Sequence, residues 1–126
     1  MHNSIPLSLA ALMAVAIIVI GCFYVISPER ISGSFGLKPP APDTDTRAWL
    51  RLKGIRDIGS GLVVLTLMLT TDSRTAGIAL LVLSIVALGD MSNVLWSGGS
   101  KSTAFSVHGV TGAVMIVVGL FLTHAL

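Results

Sequence analysis

Two cations and a carboxylate lie close together at the start of a segment that is otherwise apolar. Lys53, Arg56 and Asp57 occupy its first turns, Ser60 follows one turn later on the same face, and apolar residues dominate through Leu69. Charge inside a membrane-spanning helix is costly and usually faces a partner or a cavity. The stretch is therefore a candidate functional site, in which a guanidinium can anchor an anionic or carbonyl group and a carboxylate can transfer protons.

Two later segments each add an ionisable group. Asp90 precedes Asn93 by three residues, so both lie on one face of a helix, and His108 shares a stripe with Thr111 in the same way. A carboxylate and an imidazole at similar positions could act as acid and base on a bound molecule.

The composition of the chain indicates which structural elements position these ionisable groups. The chain has 126 residues, 53% hydrophobic and only 11% charged, with a mean hydropathy of +0.89, whereas a soluble domain carries about 25% charged residues. Four apolar stretches approach or exceed the roughly 20 residues needed to cross a bilayer. They are Pro6–Ile26, Trp49–Thr70, Thr75–Trp96 and Thr103–Ala125. We predict an all-α integral membrane four-helix bundle, one domain over residues 1–126, with both termini on the same side.

The first stretch is interpreted as a retained helix. It lacks Lys or Arg before the apolar run, and the run is longer than that of a usual signal peptide. It ends at Ser27-Pro28, because the residue before a proline is disfavoured in the α region.

Topology brings the ionisable groups to one end of the bundle, which holds the long link over residues 28–46. At 1.5 Å per residue, Asp57 lies roughly 12 Å, Asp90 about 9 Å and His108 about 6 Å from that end. Three helices thus place polar groups at similar depth, and we expect them to line one cavity.

Basic residues predict the orientation. Six Lys or Arg residues lie at the end with the long link, and only Arg74 lies at the other. The six are Arg30, Lys38, Arg47, Arg51, Lys53 and Lys101. The positive-inside rule places their end in the cytoplasm, and both termini on the non-cytoplasmic side of an inner or plasma membrane.

Lys53-Gly54-Ile55-Arg56-Asp57 with Gly61, then Gly89-Asp90, then His108-Gly109 resemble a domain of unknown function family, number 4267. Its members look like small four-helix membrane proteins of bacteria and fungi, distantly similar to the DoxX-like group. The resemblance runs from Ser27-Pro28 to the last span. It implies the fold and the site, and no established activity comes with it.

Ordinary structural roles compete with a functional one. Arg51 and Lys53 suit interfacial anchors whose charged ends reach the membrane surface. Adjacent Arg56 and Asp57 point about 100° apart and cannot simply neutralise each other. We expect Asp57 to reach Lys53, and Arg56 to pair with Asp90 across the bundle. A purely structural ion-pair network therefore stays open. The segment with Ile31, Phe35 and Leu37 is expected to lie on the membrane surface.

The function predicted is binding of an amphiphilic small molecule, with enzymatic action on it left open. Asp57, His108 and Asp90 are the candidate catalytic residues. The candidate ligand-binding residues are Arg56, Asn93, Lys53, Ser60 and Thr111. We predict no metal ion and no cofactor, since one His and two carboxylates without regular spacing are a poor metal signature.

Membrane lipids and a lipophilic small molecule are the predicted partners, and a homo-oligomer is left open. A net charge of +2 does not favour nucleic acid. One alternative is a structural or accessory subunit whose polar cluster only fixes helix register. Another is a small dimeric transporter, although such proteins place an acidic residue within the first span and this chain has none there.

Overall fold

The computed structural model describes residues 4–124, which form five helices and no strand. They are α1 Ser4–Ile26, α2 Pro28–Ser32, α3 Thr44–Thr70, α4 Ser73–Trp96 and α5 Lys101–Leu122. A 3₁₀ turn, Gly33–Phe35, follows α2, and Ala104–Gly109 of α5 is wound as a π-helix. The α1–α3 link, residues 27–43, contains α2 and the turn. The all-helical prediction is confirmed for the described residues.

Polar caps place the helix starts ahead of the apolar stretches. The side chains of Asp43, Asp72 and Ser100 each accept a hydrogen bond from the backbone N–H group three residues further along the chain, in the first turn of the helix that follows. Of the long helices, α3, α4 and α5 consequently begin two to five residues before the predicted spans, and α1 is described from Ser4, two residues before the first span. The first three end at the predicted residues. The fourth ends at Leu122, and its predicted end at Ala125 lies outside the described residues.

Glycines bring α1 and α3 into close antiparallel contact. A Cβ built on Gly54 would lie 2.5 Å from the carbonyl oxygen of Gly21, and one on Gly61 would lie 2.5 Å from that of Ala14. Small residues let helix backbones approach in this way inside membranes. The two helices therefore form one tightly packed pair.

The helices α4 and α5 form a second pair by the same means. A Cβ on Gly77 would lie 2.9 Å from the carbonyl oxygen of Gly119, and one on Gly112 would lie 2.7 Å from a methyl carbon of Leu88. The two pairs contact each other less extensively than the helices within each pair. They meet in an apolar core distant from the α1–α3 link. Its buried members are Ala10, Ala14, Val64, Leu80, Val118 and Leu122.

Three of the long helices, α1, α4 and α5, are long and apolar enough to cross a membrane. The chain is thus an integral membrane protein by the length and composition of its helices. The predicted span within α3 is not among the three. This helix carries Lys53, Arg56 and Asp57 within its otherwise apolar part, so its charge sets it apart from the others.

Candidate functional site

A cavity of about 590 Å³ lies between α3 and α4 and is bounded at one end by the α1–α3 link. Six of the predicted site residues line it, and they are Lys53, Arg56, Asp57, Ser60, Asp90 and Asn93. Its other walls come mainly from aromatic and aliphatic side chains, among them Tyr24, Phe35, Leu37, Leu50 and Val86. The cavity therefore combines a group of charged and amide side chains with apolar walls.

Lys53 and Asp57 form an ion pair at the cavity wall. Nζ of Lys53 donates a hydrogen bond to Oδ2 of Asp57 at 2.6 Å, and the two side chains are only 20% and 13% exposed. The same ammonium lies 4.4 Å from the centre of the Tyr24 ring and 5.1 Å from that of Phe35, where the ring faces attract a cation. The expected contact between Asp57 and Lys53 is confirmed. The lysine joins α1, α3 and the link at this point.

The expected pair between Arg56 and Asp90 is not formed. Within residues 4–124, the ion pairs are Lys53–Asp57 and Arg47–Glu29. Electrostatically, Asp90 interacts most strongly with Lys53 and more weakly with Arg56. Both Arg56 and Asp90 line the cavity without pairing with each other.

Ser60 lines the cavity with a hydroxyl that is already engaged. Its Oγ donates to the carbonyl oxygen of Arg56, one turn earlier, at 2.9 Å. The oxygen can still accept a hydrogen bond from a ligand. Thr111 is exposed on α5 and is not among the residues that line the cavity.

His108 is buried, with 8% of its surface exposed, and it does not line the cavity either. Its Nε2 lies 2.9 Å from the carbonyl oxygen of Phe35. A carbonyl can only accept, so Nε2 carries a proton and donates it. The two rings also contact each other, with centroids 4.5 Å apart and planes inclined by 55°. The imidazole thus holds the link directly, and its role as an acid or base stays a prediction.

The link was not expected at the site, and Phe35 is the residue that sequence reasoning missed. Rather than lying on the membrane surface, Phe35 packs on His108 and lines the cavity. Gly36 follows with a φ of +98°, a value that favours glycine, and its carbonyl oxygen accepts from the N–H of Ser100 at 2.8 Å. A Cβ on Gly36 would approach Thr103 to 3.0 Å. The glycine between two apolar residues was the available signal of a sharp turn.

The start of the link is attached to α3 by charge. Glu29 accepts a hydrogen bond from Nε of Arg47. A hydrogen bond from its own backbone N–H and the nearby guanidinium lower the pKa of Glu29, against a smaller effect of burial. Nε of Arg51 donates to the carbonyl oxygen of Val25, at the end of α1, at 3.3 Å. The basic first turns of α3 thus hold the start of the link through Arg47 and the end of α1 through Arg51.

The described residues offer no obvious metal centre. Within residues 4–124, no three His, Cys, Asp or Glu side chains are grouped so that they could hold a metal ion. Asp57 and Asp90 reach the cavity, whereas His108 is directed to the link.

Comparison with known families identifies the chain. The family described as Domain of unknown function (DUF4267) matches residues 14–122, which is most of the chain, and the chain therefore belongs to this family. The family predicted from the residues of α3, α4 and α5 is thus confirmed. Neither the curated proteins nor the solved structures include a match.

Proposed function

We propose that this DUF4267 member binds an amphiphilic small molecule in the cavity between α3 and α4. The observation that carries the proposal is that Arg56 lines a cavity of about 590 Å³ while its side chain makes no ion pair or hydrogen bond within residues 4–124. A guanidinium donates hydrogen bonds in a planar fork that matches carboxylate and phosphate oxygens. It would hold the anionic or carbonyl head of the ligand.

The walls of the cavity suit the rest of such a molecule. Ligand pockets are mostly apolar, with a few polar groups that fix orientation. Here Phe35, Leu37 and Leu50 lie at the end bounded by the link, and Val86 lies one turn deeper than Asp90 on α4. A hydrocarbon chain would lie along Val86, which is 54% exposed and lies farther from the link than Asp90.

The structural alternative explains less of the site. A cluster that served only to fix helix register would be expected to pair its buried charges, as Lys53 and Asp57 do. Arg56, which is exposed, and Asp90, which is half-buried, instead face a common space from two helices. The binding hypothesis accounts for both groups, whereas the structural hypothesis accounts only for the pair of Lys53 with Asp57.

Binding of single-chain amphiphiles tests the proposal. The protein would be purified in a nonionic detergent and titrated with dodecyl phosphate or with dodecanol, and bound molecules would be counted by native mass spectrometry. We expect one saturable site for dodecyl phosphate. Replacing Arg56 by Gln should weaken it by roughly tenfold or more, because a hydrogen bond to a charged group contributes about 1.5–3 kcal/mol.

Arg74→Gln is the matched control, since Arg74 is exposed at the opposite end of the bundle, and it should leave the affinity unchanged. Dodecanol should bind more weakly than dodecyl phosphate. Absence of saturable binding, or equal binding by wild type and Arg56→Gln, would favour the structural role.

We also propose that α3 is the fourth membrane span and that the end holding the α1–α3 link is cytoplasmic. The support is the distribution of Lys and Arg, six to one in favour of that end. Single cysteines at Ser34 and Ser73, in a Cys22→Ser background that removes the free thiol, would be labelled from outside intact cells. We expect labelling at residue 73 and protection at residue 34, and the reverse pattern would invert the orientation.

A further inference from the structure

Two unpaired groups of opposite chemistry face the cavity from neighbouring helices. Arg56 lies on α3 and Asp90 on α4, both line the cavity, and neither side chain has a hydrogen-bond or ion-pair partner among residues 4–124. A guanidinium only donates hydrogen bonds, and an ionised carboxylate only accepts them. A ligand must therefore offer a hydrogen-bond acceptor to Arg56 and a donor to Asp90.

The other charges at the cavity do not remove this requirement. Lys53 attracts Asp90 electrostatically, but its ammonium donates its hydrogen bond to Asp57 at 2.6 Å and makes no ion pair with Asp90 within residues 4–124. Asp90 is half-buried, so a bound molecule would displace water from it. A partly desolvated carboxylate left without a donor is costly, and an anionic head close by would add repulsion.

We propose that the head group of the ligand combines an acidic group, held by Arg56, with a hydroxyl or ammonium group that donates to Asp90. The inference rests on the proposed function and narrows its ligand to amphiphilic acids that also carry a hydroxyl or an ammonium group. Asn93 lies on the same face of α4 as Asp90, three residues on, and lines the same cavity. Its amide can both donate to the acid and accept from the second group.

Three acids with the same chain length separate the possibilities. Dodecanoic acid has the acid alone, 2-hydroxydodecanoic acid adds a hydroxyl, and 2-aminododecanoic acid adds an ammonium group. Affinities would be measured by titration of the full chain in nonionic detergent micelles. We expect at least one donor-bearing acid to bind tenfold or more tightly than dodecanoic acid. Whichever donor-bearing acid binds more tightly shows whether the donor is a hydroxyl or an ammonium group.

Substitution of Asp90 assigns the preference to its carboxylate. In Asp90→Leu, which has a similar volume and no acceptor, the preference should fall below about twofold while dodecanoic acid binds as well as before or better. Asp90→Asn, which is isosteric and uncharged, should reduce the preference and serves if the leucine variant does not fold. Asp45→Asn, at an exposed carboxylate outside the cavity, is the control and should keep the full preference.

The outcomes are distinct. Equal affinity of the wild type for all three acids, or a preference that persists in the folded Asp90 variants, overturns the inference and leaves the proposed function standing. Lack of saturable binding for all three acids overturns the inference alone if dodecyl phosphate still binds, and overturns both if dodecyl phosphate does not bind either.

Discussion

Replacing Gly54 by Ala tests how the α1–α3 pair supports the site, and Gly59 in the same helix offers a matched control. A Cβ on Gly54 would lie 2.5 Å from the carbonyl oxygen of Gly21 and 2.8 Å from Cβ of Tyr24. Real Cβ atoms do not approach this closely, and the main obstacle is backbone, which cannot rotate away. A Cβ on Gly59 would meet no atom within 4 Å. The two substitutions therefore add the same methyl group to opposite environments.

The contacts of each added methyl group determine how far the two variants differ in their free energy of unfolding. Each substitution gains about 0.5–1 kcal/mol because alanine is the better helix former. This gain is common to both, so the difference between the variants measures the steric term alone. Adding a methyl to a well-packed contact costs about 1–3 kcal/mol. Gly59→Ala should be neutral or slightly stabilising, and Gly54→Ala should be less stable than Gly59→Ala by about 1–3 kcal/mol.

Unfolding by SDS titration in mixed micelles, followed by circular dichroism, would give the two free energies. A second readout connects packing with the site. Lys53 adjoins Gly54 in sequence and lies over the Tyr24 ring, which lines the cavity, so displacement of α1 from α3 should weaken binding of dodecyl phosphate in Gly54→Ala only. Equal stability of the two variants, or a more stable Gly54→Ala, would show that glycine does not set the separation of these helices.

Two further predictions concern the ends of the bundle. His108→Ala should destabilise the protein by about 1–3 kcal/mol, because it leaves the Phe35 carbonyl without its donor, and hydrogen exchange over residues 33–38 should accelerate. His108→Gln can supply a similarly placed N–H and should restore much of the loss, whereas failure to do so would point to the ring contact. The backbone N–H of Thr75 lowers the pKa of Asp72 from the ordinary value of 3.8, so the stabilising effect of this cap is complete above 3.8 and is lost as the pH falls through the lower folded value. Asp72→Asn, which caps without titrating, should flatten that part of the pH–stability curve between about pH 5 and 2, and an unchanged curve would contradict the assignment.

Local sequence patterns predicted the features that depend on a single helix, such as its length, its ends and contacts within it. Apolar length located the long helices, proline and polar residues located three of their ends, and the four-residue spacing predicted the contact of Lys53 with Asp57. The predicted pairing of Arg56 with Asp90 was wrong because it depends on two helices at once. Periodicity fixes where a side chain points on its own helix, but the rotation of α3 against α4 depends on packing of both surfaces. The glycines show the same limit, since Gly54 is closely packed and Gly59 is not.

The position of the link depends on contacts that no local pattern encodes. Phe35 and His108 are 73 residues apart in the chain, and the apolar residues of the link suit a membrane surface as well as a cavity wall. The π-helical winding around His108 likewise has no signature in the sequence. π-helical turns often occur at functional sites, and here the winding accompanies the one imidazole that holds the link.

The division of the bundle into two helix pairs explains why the cavity forms where it does. Each pair is held by glycine contacts along its length, and the apolar core that joins the pairs lies at the end distant from the α1–α3 link. Toward the other end, polar side chains of α3 and α4 line the cavity, and such groups do not pack as apolar ones do. The link leaves α1 in one pair and is fastened to α5 in the other, through Phe35 with His108 and Gly36 with Ser100. It therefore bridges the seam in which the cavity lies. A displacement of one pair against the other would change the width of the cavity, and the hydrogen bonds of His108 and Ser100 to the link would oppose it together with the apolar core.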